Sequence, residues 1–388
     1  MLQTFLSNKP LFYAEIDYER FPRVYKKIES NFKSLKNIHI VGTNGKGTTG
    51  RFLASALHHI GFSVGHYTSP HILKFSERVW LNGASVEDDV LSNAHKKLQS
   101  LLSNEDSDSL SYFEYTTLLA MLIFNECDFV VLEAGLGGER DATAVFDKCL
   151  TLVTPISFDH EAFLGSSIEE IATTKLNAIQ NSAIIGYQNH KEVYEIAQNM
   201  GVAKSLNIYS VDELLNDDDF KKIETITKEL SLAKYLSQNL SLAISVLNFL
   251  GIKYETDDFK NPPLFGRVTK LTENIIIDVG HNALAASAIV EALDGEKRIV
   301  VYNSYRDKNY TEILKILKPI ISRVEIIEVD DSRIAEVKLI QNALDDLEIK
   351  HGVFMEINKE QKYLVFGSFS VVETFLKKYF NKENSVAE

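Results

Sequence analysis

The stretch that begins at Gly42 has the residue types and the spacing of a phosphate-binding loop. It contains three glycines and a lysine, and it reads Gly42-Thr43-Asn44-Gly45-Lys46-Gly47-Thr48. Glycines let backbone N–H groups close on phosphate oxygens, Lys46 supplies positive charge, and the Thr48 hydroxyl can bind Mg²⁺. An apolar run precedes the loop and a helical pattern follows it, which favours a phosphate site over a chance glycine-rich turn.

Polar side chains also stand at the ends of three other apolar runs. Ser69 follows the run 63–67, Glu133 closes the run 129–133, and His160 follows the run 150–156. The carboxyl ends of parallel strands meet at one edge of a sheet, where open α/β folds bind ligands. These three side chains could therefore bind a metal ion or a phosphate together. Taken singly, the alternatives are a Ser-Pro turn, a solvated strand end and a structural Asp-His pair.

Short apolar runs alternate with helical patterns along the first two-thirds of the chain. Several runs are apolar without alternation, as in strands that are covered on both faces, and this predicts a mainly parallel sheet wrapped by helices. The predicted strands are residues 38–41, 63–67, 129–133, 150–156 and 183–187, and the predicted helices include 48–59 and 113–124. The polar stretch 101–111 is predicted to be an exposed connection.

A second alternating series follows Pro262 and Pro263, two residues that stop the preceding helix. Its predicted strands are residues 274–278, 298–302, 324–329 and 363–366. A chain of 388 residues is too long for one ordinary core. The sequence therefore predicts an α/β protein with two domains, residues 1–263 and residues 264–388.

Composition argues against several classes of partner. The net charge of −13 makes nucleic acid a poor partner by bulk electrostatics. No apolar run is long enough to span a membrane, and the amino terminus lacks the pattern of a secretory signal. Two cysteines form no disulfide framework, as in a reducing cytosol. We expect a cytoplasmic protein, and the net charge and the lack of an apolar helix face favour a monomer.

The phosphate loop departs from the common G-x-x-x-x-G-K-[ST] pattern because Gly47 separates Lys46 from Thr48. The form G-T-N-G-K-G-[ST] resembles the folylpolyglutamate synthase branch of the Mur-ligase-like ATP-dependent amide ligases. Other segments resemble that family in the same order along the chain, namely residues 67–71, 132–143, 159–165, 265–267, 278–282, 306–308 and 366–369. The resemblance implies a P-loop NTPase-like, mainly parallel sheet domain followed by a smaller Rossmann-like α/β domain.

The resemblance also implies a reaction. An ADP-forming ligase of this kind joins L-glutamate to the carboxylate of a pterin-bearing acid, which ATP first converts to an acyl phosphate. The acyl phosphate must meet the amine in a site that excludes water. The implied acceptors are tetrahydrofolate, its polyglutamates and dihydropteroate, with tetrahydrofolate alone as the narrower alternative. The implied cofactors are ATP, two Mg²⁺ ions and a monovalent cation.

Individual residues take roles from the same resemblance. The implied catalytic residues are Lys46, His160 and Lys175, the last after carbamylation by CO₂. The implied nucleotide-binding residues are Gly42, Thr43, Asn44, Gly45, Lys46, Gly47, Thr48, Asn239, Arg267, Asp278 and His281. The implied substrate residues are Phe113, Glu114, Arg140, Asp141 and Ala142. The implied metal-binding residues are Thr48, Ser69, Glu133, His160 and Lys175. Without the family, Lys175 is more simply a surface lysine and Phe113 a core aromatic residue.

Other classes of protein account for less of the sequence. A P-loop GTPase needs a base-recognition motif such as N-K-x-D, which the sequence lacks, and it leaves Asp278 and His281 unexplained. A cell-wall amino-acid ligase of the same fold needs a nucleotide-sugar-binding domain ahead of the phosphate loop, where about forty residues stand. A non-enzymatic binding module is the third alternative.

Overall fold

Two β-sheets organise the chain. The computed structural model describes residues 2–10, 17–261 and 264–386. The chain divides into two compact units, the first Met1–Leu232 with Leu236–Pro262 and the second Pro263–Glu388 with Ala233–Tyr235. The two prolines that are predicted to stop a helix at the domain boundary lie outside the described residues.

The sheet of the first unit has eight strands in its described part. They are β1 (Lys36–Val41), β2 (Val64–Tyr67), β3 (Val79–Leu81), β4 (Ala84–Ser85), β5 (Phe129–Glu133), β6 (Leu150–Val153), β7 (Ser182–Ile185) and β8 (Asn207–Ser210). Their order is β4-β3-β2-β5-β1-β6-β7-β8. β3 runs antiparallel to β2 and β4, and the other pairs are parallel. β2, β5 and β6 are buried at every position, as expected for strands covered on both faces.

Helices separate these strands. They are α1 (Leu2–Ser7), α2 (Arg20–Ile28), α3 (Lys46–Ile60), α4 (Asp88–Leu101), α5 (Asn104–Ser109), α6 (Tyr112–Ile123), α7 (Glu161–Leu164), α8 (Ile168–Leu176), α9 (Glu192–Lys204), α10 (Val211–Leu214), α11 (Asp217–Glu229) and α12 (Lys234–Phe249). Capping boxes mark the starts of α6 and α8, where a serine and a glutamate satisfy each other's backbone N–H groups. Across the described ranges, no helix has the length and apolar character that crossing a membrane requires.

The sheet of the second unit has six strands among the residues that the structure describes. Its described strands are β9 (Thr269–Thr272), β10 (Ile275–Ile277), β11 (Arg298–Tyr302), β12 (Ile321–Ile326), β13 (His351–Val353) and β14 (Tyr363–Phe366). Their order is β13-β12-β11-β14-β10-β9, with β9 antiparallel to β10 and the other pairs parallel. The helices of this unit are α13 (Ala283–Leu293), α14 (Tyr310–Leu317), α15 (Val337–Asp346) and α16 (Phe369–Val386). The predicted α/β class is confirmed.

Several details of the sequence-based prediction are wrong. The predicted strand 324–329 is displaced from β12 (Ile321–Ile326), and the predicted strand 183–187 runs two residues beyond the end of β7. The stretch 101–111 is not simply an exposed connection, because it contains α5. The Ser103 side chain caps that helix by accepting a hydrogen bond from the Asp106 N–H at 3.0 Å, and Leu110 is buried behind it. The predicted strand 150–156 is also too long. β6 ends at Val153, and Pro155 has no N–H with which to continue a ladder.

Candidate functional site

Four neighbouring strands of the first unit end at the same edge of the sheet. β2, β5, β1 and β6 are adjacent in that order and parallel to one another in the described part of the sheet. The phosphate loop (residues 42–48) follows β1, Glu133 ends β5, Ser69 follows β2, and the segment of His160 follows β6. The edge therefore gathers a cation, a carboxylate and hydroxyl groups where open α/β sheets bind ligands.

The backbone of the phosphate loop is fixed against the segment that follows β6. The N–H groups of Thr43 and Asn44 donate to the Pro155 carbonyl at 2.9 and 3.3 Å. The Thr43 hydroxyl donates to the Ser157 carbonyl at 3.0 Å and accepts a hydrogen bond from the Ser157 N–H at 3.0 Å. These bonds hold the loop in a defined conformation at the edge of the sheet.

Glycines are required at two positions of the loop. Gly42 has a φ of +142°, and a Cβ there would lie 2.0 Å from Thr154 Oγ1. Gly45 has a φ of +87°, and a Cβ there would lie 2.5 Å from Asn239 Oδ1. Asn239, on α12, therefore reaches the loop, and its buried Nδ2 has no hydrogen-bond partner among the described residues. Gly47 is buried in the first turn of α3.

We expect Gly45→Ala to weaken the binding of ATP by about tenfold or more, because the added methyl group displaces Asn239 and strains a left-handed backbone. Gly61→Ala is the matched control at the other end of α3. Gly61 has a φ of +114°, but a Cβ at this position would have nothing within 4 Å, so the substitution should cost only about 1 kcal/mol of stability. Calorimetric titration measures the affinity of both variants for ATP, and thermal unfolding measures their stability. Equal losses of affinity in the two variants would contradict the assignment of the loop to ATP binding.

Lys46 and Thr48 direct polar groups toward the loop. Lys46 Nζ donates to the carbonyls of Gly42 and Thr43, both at 3.2 Å, and lies 3.9 Å from Glu133 Oε1. The Thr48 hydroxyl is buried and has no hydrogen-bond partner in the described part of the chain. Leaving a buried hydroxyl without a hydrogen-bond partner costs free energy of folding. A bound ligand that provides the missing hydrogen bond explains why the Thr48 hydroxyl is retained here.

Glu133 is not a solvated strand end, so that alternative is wrong. Its side chain is buried, and its Oε2 accepts hydrogen bonds from the Thr68 hydroxyl and from the Ser69 N–H, the latter at 3.1 Å. Thr68 was not singled out from the sequence, although its hydroxyl immediately precedes Ser69 in the same segment. The carboxylate is thus held in place between β2 and β5, with one oxygen toward Lys46.

Lys175 is not a surface lysine. Only 4% of the residue is exposed, and Nζ donates to the Gly42 carbonyl at 3.0 Å, the same carbonyl that Lys46 contacts. The pKa of Lys175 is lowered to about 7, mainly by burial and secondly by the nearby Lys46 cation. The carboxylates of Asp159 and Asp141 act in the opposite direction and raise the pKa. Two lysine amines therefore meet at one backbone oxygen of the phosphate loop.

His160 stands at the rim of this edge. Its backbone is left-handed with a φ of +53°, and its Nε2 lies 4.0 Å from Asp159 Oδ1. The Asp159 side chain is buried, while that of His160 is exposed. Asp159 was read from the sequence only as the partner of His160, but its effect on the pKa of Lys175 places it within electrostatic reach of that amine.

Two of the predicted substrate residues lie near the end of β5. The Phe113 ring packs on Gly135, where a Cβ would lie 2.8 Å from Phe113 Cζ, and its centroid is 5.7 Å from that of Tyr67. The guanidinium of Arg140 lies 4.7 Å from the centre of the Tyr18 ring. Gly135 is exposed and follows Glu133 by two residues. The Phe113 ring therefore lies against the backbone two residues beyond Glu133, and the Arg140 guanidinium belongs to the loop that follows β5.

Asp141 anchors the glycine-rich loop between them. One of its oxygens accepts hydrogen bonds from the N–H groups of Gly135 and Leu136, both at 2.9 Å. The other accepts from the Thr143 N–H at 3.0 Å and the Thr143 hydroxyl at 2.6 Å. Burial raises the pKa of Asp141, and the next residue, Ala142, is also buried. A role of Asp141 in substrate contact stays a prediction.

Glu114 pairs with a residue that sequence reasoning missed. It closes the capping box of α6 with Ser111, and its carboxylate also pairs with Arg20 at 2.8 Å. The two charged residues are 94 positions apart in the chain. No local motif links them, so the sequence carried no signal for this contact.

The second unit brings together its own predicted residues at the carboxyl end of β10. Asp278 is buried and accepts hydrogen bonds from the N–H groups of Val268 and Gly280, at 2.9 and 2.7 Å, and from the Tyr235 hydroxyl at 3.2 Å. Burial raises the pKa of Asp278. Its carboxylate therefore orders the turn that carries the neighbouring predicted residues.

Arg267 and His281 both lie beside Phe369. The Arg267 guanidinium is 5.2 Å from the centre of that ring, and the His281 ring centroid is 6.4 Å from it. Arg267 also donates to the Gly266 carbonyl at 3.1 Å, and His281 Nδ1 lies 3.1 Å from the Val279 carbonyl. The three predicted nucleotide-binding residues of this unit thus form one cluster, and their role stays a prediction.

The residues proposed for the metal fit an ion that arrives with a nucleotide. Within the described ranges, no three His, Cys, Asp or Glu side chains are grouped so as to hold a metal ion. The phosphate-loop edge offers instead the Glu133 carboxylate and the unsatisfied Thr48 hydroxyl. Mg²⁺ keeps several waters and takes oxygen ligands from phosphates, so one or two protein oxygens suit it.

Comparison with known proteins gives a consistent result. No family model matches the chain. A dihydrofolate synthase/folylpolyglutamate synthase of Escherichia coli is 31% identical over 299 residues, which cover 73% of this chain and 70% of the relative. The crystal structure of Helicobacter pylori folylpolyglutamate synthetase is similar at 38% identity and a TM-score of 0.79, covering 98% of each chain. The structure of E. coli FolC in complex with DHPP and ADP has 25% identity and a TM-score of 0.83, covering 97% of this chain and 96% of that one.

Proposed function

Because this chain belongs to the dihydrofolate synthase/folylpolyglutamate synthase family, we propose that it is an ADP-forming ligase that adds L-glutamate to tetrahydrofolate and to dihydropteroate. The observation that carries the proposal is the arrangement at the phosphate-loop edge. There Lys46 and Lys175 meet at the Gly42 carbonyl, and the buried Glu133 carboxylate lies 3.9 Å from Lys46 Nζ. This arrangement suits phosphoryl transfer from ATP.

The reaction has two chemical steps. A carboxylate oxygen of the acceptor attacks the γ-phosphorus of ATP, which forms an acyl phosphate and releases ADP. Lys46 and the N–H groups at the start of α3 stabilise the negative charge on the moving phosphoryl group. The amine nitrogen of L-glutamate then attacks the acyl carbon, inorganic phosphate leaves, and the amide forms as the nitrogen loses its proton.

Mg²⁺, when bound with the nucleotide, would supply positive charge against the phosphate oxygens. We assign Thr48, Ser69 and Glu133 to this ion, with His160 at the rim. We also assign Lys175 as a carbamate, formed when the neutral amine attacks CO₂ and releases one proton. A pKa of about 7 leaves a large share of this amine neutral at physiological pH. The anionic carbamate would supply oxygen to a second Mg²⁺.

The acceptor is assigned to the side of the edge that carries Phe113 and Arg140. An aromatic ring on the Gly135 backbone offers a stacking face, and the exposed guanidinium offers a charge for an acidic substrate. Glutamylation of tetrahydrofolate alone is the second candidate. The similarity to the H. pylori structure, whose protein is named only as a folylpolyglutamate synthetase, favours it.

Acceptor-dependent release of ADP tests the proposal directly. Purified protein with ATP, Mg²⁺ and L-glutamate is expected to release ADP when either dihydropteroate or tetrahydrofolate is added, with the amide product identified by mass spectrometry. Release with tetrahydrofolate only would select the second candidate. If neither acceptor gives ADP above the level without acceptor, the assignment is wrong.

The remaining sequence-based expectations belong to the same proposal. We propose a cytoplasmic monomer that binds no nucleic acid and no membrane, with a monovalent cation in addition to Mg²⁺. We also keep Arg267, Asp278, His281 and Asn239 as nucleotide-binding residues. Light scattering of the purified protein at assay concentration tests the oligomeric state.

A further inference from the structure

A short segment at the start of α2 contacts two separate parts of the acceptor side. Arg20 pairs with Glu114 at the start of α6, and Tyr18 lies under the Arg140 guanidinium. Asp17 orders the segment itself, because its Oδ1 accepts hydrogen bonds from the N–H groups of Glu19 and Arg20 at 3.0 and 3.1 Å. Four consecutive residues thus connect the helix of Phe113 with the loop of Arg140.

The pair formed by Arg20 and Glu114 is buried and geometrically complete. Nη2 lies 2.8 Å from Oε2 and 3.1 Å from Oε1, and Nε lies 3.1 Å from Oε2. The side chains are 9% and 11% exposed. Glu114 Oε2 also accepts the Ser111 N–H at 2.7 Å. The Glu114 carboxylate therefore joins α2 to the first turn of α6. A planar two-point contact of this kind fixes the orientation of the two helices as well as the distance between them.

The position of the Phe113 ring depends on that first turn. Phe113 precedes Glu114 by one residue, and its ring rests on Gly135 in a contact so close that a methyl group on Gly135 would clash at 2.8 Å. Gly135 in turn follows the buried Glu133 by two residues. A small rotation of the first turn of α6 would therefore move the aromatic face relative to the carboxylate edge where phosphoryl transfer is assigned.

We propose that Arg20 is a positioning residue for the pterin-bearing acceptor, a proposal that rests on the proposed function. It acts through Glu114, whose carboxylate is engaged by α2 and by the capping box rather than by substrate. The pair fixes the Phe113 ring against the Gly135 backbone, and Tyr18 of the same segment contacts the Arg140 guanidinium. A lysine at position 20 keeps the positive charge but cannot replace the planar two-point contact.

Steady-state kinetics of designed variants test this role. Arg20→Lys is expected to raise KM by about tenfold for whichever acceptor, dihydropteroate or tetrahydrofolate, supports ADP release by the wild-type protein, with kcat and the KM values for ATP and glutamate changed by less than about twofold. Glu114→Gln should show the same pattern. Lys27→Ala, which removes an exposed ion pair between α2 and Asp106, is the matched control and should leave all constants unchanged.

A double variant separates positioning from folding. Arg20→Met with Glu114→Met removes both buried charges, so it should recover thermal stability relative to the single variants Arg20→Met and Glu114→Met. The raised KM for the acceptor should persist in the double variant. Recovery of KM together with stability, an unchanged acceptor KM in Arg20→Lys, or a uniform loss of all activity would overturn the proposal. Wild-type protein without acceptor-dependent ADP release would instead overturn the proposed function, which is a different result.

Discussion

Lys46→Met is expected to lower kcat for acceptor-dependent ADP release by about a thousandfold. Lys46 Nζ donates to the loop carbonyls of Gly42 and Thr43 at 3.2 Å and lies 3.9 Å from the Glu133 carboxylate. Removing it leaves the phosphoryl group without this cation as negative charge develops. The measurement is the initial rate of ADP release at saturating ATP, glutamate and acceptor.

The fold should survive this substitution, because Lys46 Nζ contacts loop carbonyls at the edge of the sheet and methionine keeps the apolar stem. Lys97→Met, on the exposed face of α4, serves as the control for loss of one positive charge and should retain wild-type kcat. A Lys46→Met protein that keeps more than about a tenth of the wild-type rate would remove this lysine from the transfer step.

Lys175→Ala is expected to lower kcat by about a hundredfold. The substitution removes the amine that lies 3.0 Å from the Gly42 carbonyl and, with it, the carbamate oxygens assigned to the second Mg²⁺. A small carboxylate such as formate or acetate can enter the space left by the side chain and supply anionic oxygen. Partial recovery of ADP release on addition of formate is therefore expected.

Lys148→Ala is the matched control for the loss of a buried lysine. Lys148 is also buried, its pKa is lowered to about 8 by burial, and its Nζ donates to the Ala144 carbonyl at 3.0 Å. Lys148→Ala should lower the stability of the protein, but added formate should not change its rate of ADP release. Full activity of Lys175→Ala, or equal rescue of both variants, would contradict the carbamate.

The pKa of Lys175 also sets a pH dependence. With a pKa of about 7, the neutral amine grows from about one-tenth at pH 6 to about nine-tenths at pH 8. Only the neutral amine attacks CO₂, so at a fixed concentration of dissolved CO₂ the activation of CO₂-depleted protein should become faster as pH rises through this window. The folded pKa lies below the ordinary 10.5, so between these values the unfolded chain holds more protons and this group makes the fold more stable as pH rises.

Apolar runs and loop chemistry predicted most of the fold. β5 and β11 could be predicted as strands because each is apolar at four of its five positions, as is typical of a strand covered on both faces, and both are buried throughout. The start of α8 could be read from its capping box, since Ser167 and Glu170 make local contacts that spacing alone encodes. α5 was not predicted, because its sequence is polar throughout and lacks an apolar periodicity. Only the capping residue Ser103 indicates where this helix begins.

Burial and long-range pairing limited the prediction of the site. The sequence alone does not distinguish a buried lysine such as Lys175 from an exposed one, because burial depends on how the loop after β6 folds. The contact of Arg20 with Glu114 joins residues 94 positions apart, and nothing in either neighbourhood signals it. Glu133 was recognised as a candidate, but its engagement by Thr68 required the register of β2 against β5.

The link between α2 and α6 also bears on how shortened forms of this protein should be made. Amino-terminal residues are often removed when they are considered dispensable. Deleting residues through Arg20 would leave the buried Glu114 carboxylate without its guanidinium partner. Removing one member of a buried ion pair typically costs about 3–5 kcal/mol. Expression vectors for truncated protein should therefore begin upstream of Asp17, and purification tags belong ahead of that position.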